Sequence, residues 1–96
     1  MPTLAFEGRI TVDDSEEMRR KLLDALHSKP AQVTVDLSQV TFMDLSALAT
    51  LLEAVRIARS QGTRLLLAGV SGQPRALFQV GQLSSLFEFA PQETSA

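Results

Sequence analysis

The sequence contains no cysteine, and this absence excludes disulfides, thiolate metal sites and cysteine nucleophiles. A single histidine, His27, leaves little scope for histidine-based catalysis or zinc binding. Tryptophan and tyrosine are also absent, so only five phenylalanines could stack against a base or a sugar. We therefore expect a protein that is not an enzyme and that carries no metal or other cofactor.

Excess basic charge and long apolar runs are missing as well. Nine Lys and Arg stand against eleven Asp and Glu, which argues against a nucleic-acid partner. The longest wholly apolar stretch, residues 65–68, is far too short to cross a bilayer. Residues 1–6 show no basic segment followed by a long apolar one, so the sequence predicts no signal peptide, no membrane insertion and a cytoplasmic location.

The 96 residues suffice for one domain, spanning residues 1–96, with a core of about 4–89 and a polar, flexible tail of 90–96. Alternating apolar residues predict strands, and apolar residues three or four apart predict helices. Residues 4–12 are predicted to form a strand kinked or bulged at Gly8, or two short strands. The elements predicted after it are a helix capped at Asp14 and closed by Pro30, a strand at 32–37, a loop at 38–44, a helix at 45–60, a strand at 65–68 covered on both faces, a short helix from Pro74 to Val80, and a last short strand within 83–89. This order predicts an α/β fold with a mixed sheet of about four strands and helices packed against it.

The helix at 45–60 has the clearest pattern, with apolar residues at i, i+3, i+4, i+7 and i+10 from Leu48. On a helical wheel centred on Leu48, a stripe of four residues lies on the opposite side and is expected to face solvent. This stripe, called here the partner stripe, consists of Ser46, Thr50, Glu53 and Ile57, flanked by the small residues Ala47 and Ala54. We expect a partner protein to bind Asp44, Ala47, Thr50, Glu53, Ala54 and Ile57.

Ser46 stands at the amino end of that helix, directly after Asp44 and Leu45. Unpaired amide groups and the positive end of the helix dipole would tolerate a phosphate there. A second interpretation of the same residues is structural, with Asp44 as an ordinary N-cap and Ser46 as an ordinary first-turn serine. Local chemistry alone leaves both interpretations open.

Other polar groups carry weaker signals. The Gly69–Gly72 loop resembles a fragment of a phosphate-binding loop but lacks its Lys and Ser/Thr. The acidic residues at 13–17 suit a helix start and do not predict a metal site. Asp36 and Asp44 could form a carboxylate pair, although nothing nearby in sequence supplies a base, a nucleophile or an oxyanion donor.

Residues 33–48, Val-Thr-Val-Asp-Leu-Ser-Gln-Val-Thr-Phe-Met-Asp-Leu-Ser-Ala-Leu, resemble the central signature of STAS domains, the fold of anti-sigma factor antagonists. In that family a strand ends in Asp-Leu-Ser, and Phe-hydrophobe-Asp-Ser-Ser-Gly-Leu opens the next helix. The resemblance extends over about residues 6–89. It implies a regulatory protein whose phosphoacceptor is Ser46 and whose partner is an anti-sigma factor that is also a serine kinase.

The sequence departs from this signature at two positions, with Leu45 in place of the first serine and Ala47 in place of the glycine. A second, similar group comprises STAS-like accessory subunits of bacterial lipid-transport ATPases, which bind without a phosphoswitch and commonly lack the acceptor serine. A constitutive subunit of a transporter or sensory complex therefore stays open as an alternative. A third alternative is a small-molecule or nucleotide sensor that uses the Gly69–Gly72 loop.

Overall fold

The computed structural model describes residues 2–91. Its elements in chain order are β1 (Thr3–Ile10), α1 (Val12–His27), β2 (Gln32–Met43), α2 (Leu45–Gln61), β3 (Arg64–Ala68), α3 (Gly72–Gln79), a 3-10 segment (Val80–Leu86) and β4 (Glu88–Phe89). The predicted four strands and the helices packed against them are confirmed.

The strands lie in the sheet in the order β1-β2-β3-β4, and each neighbouring pair is parallel. Throughout the described residues the sheet is therefore parallel rather than mixed. Parallel neighbours need a crossover connection, and such crossovers are almost always right-handed. Because the order advances in one direction only, three right-handed crossovers put α1, α2 and α3 on the same face of the sheet.

The hydrophobic core lies between the sheet and these helices. On the inner face of the sheet, which the helices cover, the paired residues Leu4, Val35 and Leu67 lie side by side on β1, β2 and β3. The neighbouring row places Leu66 on the outer face, between Thr34 and Glu88. Leu66 is nevertheless only 8% exposed, and Leu65 and Leu67 are buried as well, which agrees with the expectation that β3 is covered on both faces.

The pairing of β1 with β2 is irregular. Gly8 has a φ of +73°, and the register shifts between Ala5 and Glu7 and again between Gly8 and Arg9, which confirms the predicted bulge. The expectation of a loop over residues 38–44 is wrong, since β2 continues to Met43. Its second half pairs with the end of β1 and brings Ile10 opposite Met43.

Helix boundaries differ from the sequence prediction. Helix α1 begins at Val12, because Thr11 is its N-cap; the Thr11 amide and hydroxyl both donate to Asp14, which lies inside the first turn. Helix α3 begins at Gly72, two residues before Pro74. Helix α2 ends at Gln61, one residue beyond the prediction, and its C-cap is Gly62, whose left-handed φ of +77° suits glycine.

The segment after α3 closes the core. Phe78 packs edge to face against both Phe87 and Phe89, with ring centroids 5.0 and 5.6 Å apart. The Ala90 amide donates to the Leu67 carbonyl at 2.8 Å, so the chain is still held at residue 90, where the sequence predicts the flexible tail to begin. The remainder of that predicted tail, residues 92–96, lies outside the described residues.

Candidate functional site

The carboxyl edge of the sheet brings three helix starts together. Each of the first three strands ends at this edge and is followed within one to three residues by α1, α2 or α3. The unpaired amide groups and the positive dipole ends of three helices are therefore directed to one side of the molecule. Ser46 and Asp44 lie on this side, in the turn that joins β2 to α2.

Asp44 holds the starts of two helices with one carboxylate. Its Oδ1 accepts the amides of Ser46 at 3.0 Å and Ala47 at 3.2 Å, in the first turn of α2. Its Oδ2 accepts the Val12 amide, the first of α1, at 3.0 Å. The Asp44 amide in turn donates to the Ile10 carbonyl at 3.2 Å. The N-cap role expected of Asp44 is therefore present, together with a connection to α1 that the sequence did not predict.

These hydrogen bonds favour the charged form of the carboxyl group. The Ser46 hydroxyl, which donates to Oδ1, is the main cause that lowers the pKa of Asp44, and the amides of Ala47, Val12 and Ser46 add to it. Asp44 is therefore a carboxylate over the physiological pH range. Its weak basicity suits it to orient a hydroxyl group rather than to remove the proton from one.

Ser46 is half-buried at the start of α2. Its hydroxyl donates to Asp44, and its carbonyl accepts the hydroxyl of Thr50 at 2.9 Å. The first amides of α2 already donate to Asp44, so the free donors expected beside Ser46 are fewer than the sequence suggested. A phosphate on this serine would compete with a carboxylate for the same amides.

Two exposed apolar side chains flank this serine and carboxylate. Leu45 is 69% exposed and Val12 is 66% exposed, and each is the first residue of its helix. Both backbones adjoin Asp44, because Leu45 follows it in the chain and the Val12 amide binds its carboxylate. Single exposed apolar residues are common on protein surfaces, but two that lie together beside polar groups are typical of an interaction surface. We call Val12, Asp44, Leu45 and Ser46 the amino-end surface.

The partner stripe does not face open solvent as expected. Thr50, Glu53 and Ile57 are half-buried, and Ile57 packs against the hydrophobic core. The small flanking residues are fully enclosed, with Ala47 at 0% and Ala54 at 2% exposure, so their side chains cannot touch a partner. The physical reason is that α2 packs against α1 as well as the sheet and so buries more than one stripe. The exposed residues of α2 are Leu45, Ala49, Arg56, Arg59 and Ser60.

Glu53 belongs to a contact between the two helices. Both of its carboxylate oxygens accept hydrogen bonds from Arg19 of α1, at 2.8 and 3.1 Å. The guanidinium hydrogen bonds lower the pKa of Glu53. Both side chains remain more than 40% exposed, so the pair contributes little to stability. It does, however, put Arg19 on the same surface as Glu53.

The remaining sequence candidates have structural explanations. Asp36 accepts the Ser38 amide at 2.9 Å, and no hydrogen bond joins it to Asp44 within residues 2–91. Gly69 has a φ of +70°, and a Cβ atom there would lie 2.6 Å from the Cβ of Ser38, so close packing of the loop requires glycine. In the part of the chain that the structure describes, no group of three acidic or histidine side chains could hold a metal ion.

A cavity of about 360 Å³ is lined by Gly69 and lies between α3 and the end of the sheet. Phe78, Phe89 and Arg75 are among its lining residues. This is the volume that a small-molecule sensor of the third alternative would use, and a nucleotide titration followed by NMR would test it.

None of the described helices has the length and apolar character needed to cross a membrane.

Comparison with known proteins supports the resemblance seen in the sequence. The sequence model of the family described as "Mlab, STAS domain" matches residues 1–88. A structure from Thermotoga maritima assigned as an anti-sigma factor antagonist superposes with a TM-score of 0.84 at 13% identity, covering 95% of this chain and 79% of that one.

Two further structures show the same fold. The Bacillus cell fate determinant SpoIIAA, in its phosphorylated form, superposes with a TM-score of 0.70 at 22% identity, covering 95% of this chain and 83% of that one. The STAS domain of a SulP transporter from Vibrio cholerae superposes with a TM-score of 0.71 at 20% identity, covering 96% and 73%. The fold is therefore shared by regulatory proteins and by domains of transporters.

Proposed function

Because this chain belongs to the STAS domain family, we propose that it is a non-enzymatic, cytoplasmic regulator that binds a partner protein under control of phosphorylation at Ser46. The proposed partner is an anti-sigma factor that is also a serine kinase. The contact surface proposed from the sequence is refined accordingly. It comprises the amino-end surface together with Thr50, Glu53 and Ile57, while Ala47 and Ala54 act only as buried spacers.

The observation that carries this proposal is the Ser46 hydroxyl held by the Asp44 carboxylate between two exposed apolar side chains. In the proposed step, Ser46 Oγ forms a bond to the γ-phosphorus of ATP while the bond to the bridging oxygen breaks, and ADP leaves. The hydroxyl proton passes to a base of the kinase, since Asp44 is a weak base. Because the Ser46 O–H donates to Asp44 in the free protein, it turns to the kinase base when the complex forms, and that base then takes the proton.

The phosphate would act on binding through charge. It adds about −1.5 to −2 charges at neutral pH, next to a carboxylate and to Leu45 and Val12. A partner that covers the apolar side chains in the unmodified protein would have to desolvate that charge in the modified one. Phosphorylation therefore releases the partner.

The test compares unmodified protein with protein that carries phosphoserine at position 46. Both are titrated against a purified ATP-dependent serine kinase of the anti-sigma factor class from the same genome, and both are melted thermally. We expect the unmodified form and Ser46→Ala to bind and the phosphoserine form to bind at least about tenfold more weakly, with similar melting temperatures. Equal affinities for the modified and unmodified protein would overturn the switch.

One observation favours the second candidate, a constitutive subunit of a transporter or sensory complex. Leu45 replaces the first serine of the family signature, and its exposed apolar side chain is one that a partner could also cover without any phosphate control. For this function, a purified transporter ATPase subunit encoded beside the gene would bind phosphoserine-46 protein and unmodified protein equally well. The two titrations therefore separate the candidates.

A further inference from the structure

The first strand leaves a long free edge on the sheet. Strand β1 is eight residues long and pairs only with β2 among the strands of residues 2–91. The opposite edge is formed by β4, which has two residues. A long unpaired strand presents a row of backbone donors and acceptors that another strand can bind.

The hydrogen bonds to β2 indicate which backbone groups of β1 are free. The carbonyls of Pro2 and Ile10 accept the amides of Thr34 and Asp44 at 3.1 and 3.2 Å. Backbone groups of successive residues in a strand point to alternate sides. The even-numbered residues of β1 are therefore directed to β2, and the odd-numbered ones to the free edge. Before the bulge at Gly8, these are Thr3, Ala5 and Glu7.

The side chains of this segment divide in the same way between the two faces of the sheet. Thr3, Ala5 and Glu7 are exposed on the outer face. Leu4 and Phe6 lie on the inner face and pack against the core, but they are only half-buried. A cavity of about 300 Å³ lies beside Phe6, between β1 and α1. The apolar layer is therefore incompletely covered at this edge.

We propose that the edge of β1 pairs with β1 of a second copy of this chain, antiparallel and with the two-fold axis at Ala5. In this register Thr3 lies opposite Glu7 of the other copy, and Ala5 lies opposite Ala5. These are the residues whose backbone groups face the edge, so six hydrogen bonds join the copies. Leu4 lies opposite Phe6 of the other copy on the inner face, and the two apolar layers become continuous.

Charge and backbone geometry disfavour two of the other registers. An axis at Glu7 would place two glutamates directly opposite each other, which destabilises a strand pair. An axis at Gly8 would require extended backbone where φ is +73°. An axis at Ala5 opposes no like charges, and it uses only residues 3–7, which precede the positive φ of Gly8. A second copy suits the edge because it supplies the same half-buried Leu4 and Phe6.

The test is sedimentation over a range of concentrations with a charge-pair design at the axis. Ala5 is exposed on the outer face, so Ala5→Glu and Ala5→Lys should fold normally. Each variant alone places like charges opposite each other and should dimerise about fivefold more weakly than the original protein. An equimolar mixture of the two should recover the dimer. Ala49→Glu, the same change on the exposed side of α2, is the matched control and should not alter dimerisation.

A second measurement identifies the strand contact directly. In a mixture of isotope-labelled and unlabelled protein, filtered NMR spectra should show contacts between Leu4 of one copy and Phe6 of the other. The amides of Thr3, Ala5 and Glu7 should gain protection from exchange as concentration rises. The proposal would be overturned if the protein stayed monomeric at millimolar concentration or if neither charge variant weakened the dimer. Amide protection that did not depend on protein concentration would also overturn it.

Discussion

The two ends of α2 are both fastened to α1, but by different chemistry. At the carboxyl end, the Gln61 side chain donates to the Leu26 carbonyl at 2.7 Å, and the Thr63 hydroxyl donates to the Pro30 carbonyl at 2.6 Å. Thr63 is only 5% exposed, and its hydroxyl also accepts from Gln61. At the amino end, the connection is a single carboxylate, that of Asp44, with exposed neighbours.

We call the carboxyl end of α2 the permanent end, because its hydrogen bonds do not depend on a charge. We call the amino end the adjustable end, because its hydrogen bonds do. The side chains that hold the carboxyl end, Gln61 and Thr63, are neutral and half-buried or buried, so neither protonation nor phosphorylation can readily alter their hydrogen bonds. The amino end depends on a charge whose hydrogen-bond partner is a hydroxyl group that a kinase could modify. The proposed phosphorylation of Ser46 would therefore change one end of α2 while the hydrogen bonds at the other end hold it in place.

The largest expected effect comes from the body of the helix between its two ends. Leu51 is fully buried, so Leu51→Ala should lower the free energy of unfolding by about 3 kcal/mol. Because this residue supports both ends, amide exchange should accelerate at both. Denaturant unfolding and hydrogen exchange measure the two effects. A loss below about 1 kcal/mol would mean that neighbouring side chains fill the cavity left by the substitution, contrary to the tight packing expected at this position in the core.

A smaller effect is expected when the permanent end is broken. Thr63→Val keeps the shape but leaves the Pro30 carbonyl without its hydroxyl donor, and it should cost about 2 kcal/mol. Exchange should accelerate at the carboxyl end of α2 and not at the Val12 amide. Ser60→Ala, which removes an exposed hydroxyl nearby, is the control and should cost less than about 0.5 kcal/mol. Equal losses from the two variants would contradict a buried hydrogen-bonded end.

The adjustable end should respond to acid. Since folding lowers the pKa of Asp44, its contribution to stability is complete above the ordinary value of 3.8 and is lost as pH falls through the folded value. Asp44→Asn keeps one oxygen but loses the second acceptor, so it should speed exchange at Val12 and remove that part of the acid dependence. Melting temperatures between pH 2 and 7 measure this, with the exposed Asp24→Asn as control. Parallel curves for Asp44→Asn and the original protein would contradict the expectation.

The smallest effect on stability is expected at the exposed apolar residue. Leu45→Ser should change the free energy of unfolding by less than about 0.5 kcal/mol, because the side chain is largely in water. The same change should weaken binding of the proposed kinase partner, and Ala49→Ser should not. A strong loss of stability together with normal binding would assign Leu45 to the fold and remove it from the amino-end surface.

The core face of α2 could be predicted from sequence, but its exposed face could not. Periodicity correctly placed Leu51 and Val55 inside, because residues three and four apart share one side of a helix. The same helical wheel predicted that Glu53 and Ile57 face solvent, because a wheel does not show how many other elements pack against the helix. Arg19 is 34 residues away from Glu53 in sequence, and only the packing of α1 on α2 joins them.

The site itself was predictable in part. Family resemblance and the rules for helix starts singled out Asp44 and Ser46, and the short distance between them is local in sequence. The bond from Asp44 to Val12 spans 32 residues and depends on the extension of β2 to Met43. That extension escaped the alternation rule because the register shifts interrupt it, leaving Ser38 and Gln39 exposed in succession.

The strand order has a consequence for how the chain acquires its structure during synthesis. Because the sheet grows in chain order, each strand leaves the ribosome after the neighbour on which it will pair. No strand has to wait for a distant partner or insert between two strands already joined. Small domains fold cooperatively as units, and contacts that are near in sequence form faster than remote ones. Once the chain is released, every strand pair of this sheet is therefore closed by a single β-α-β crossover or, for β4, by the segment that follows α3.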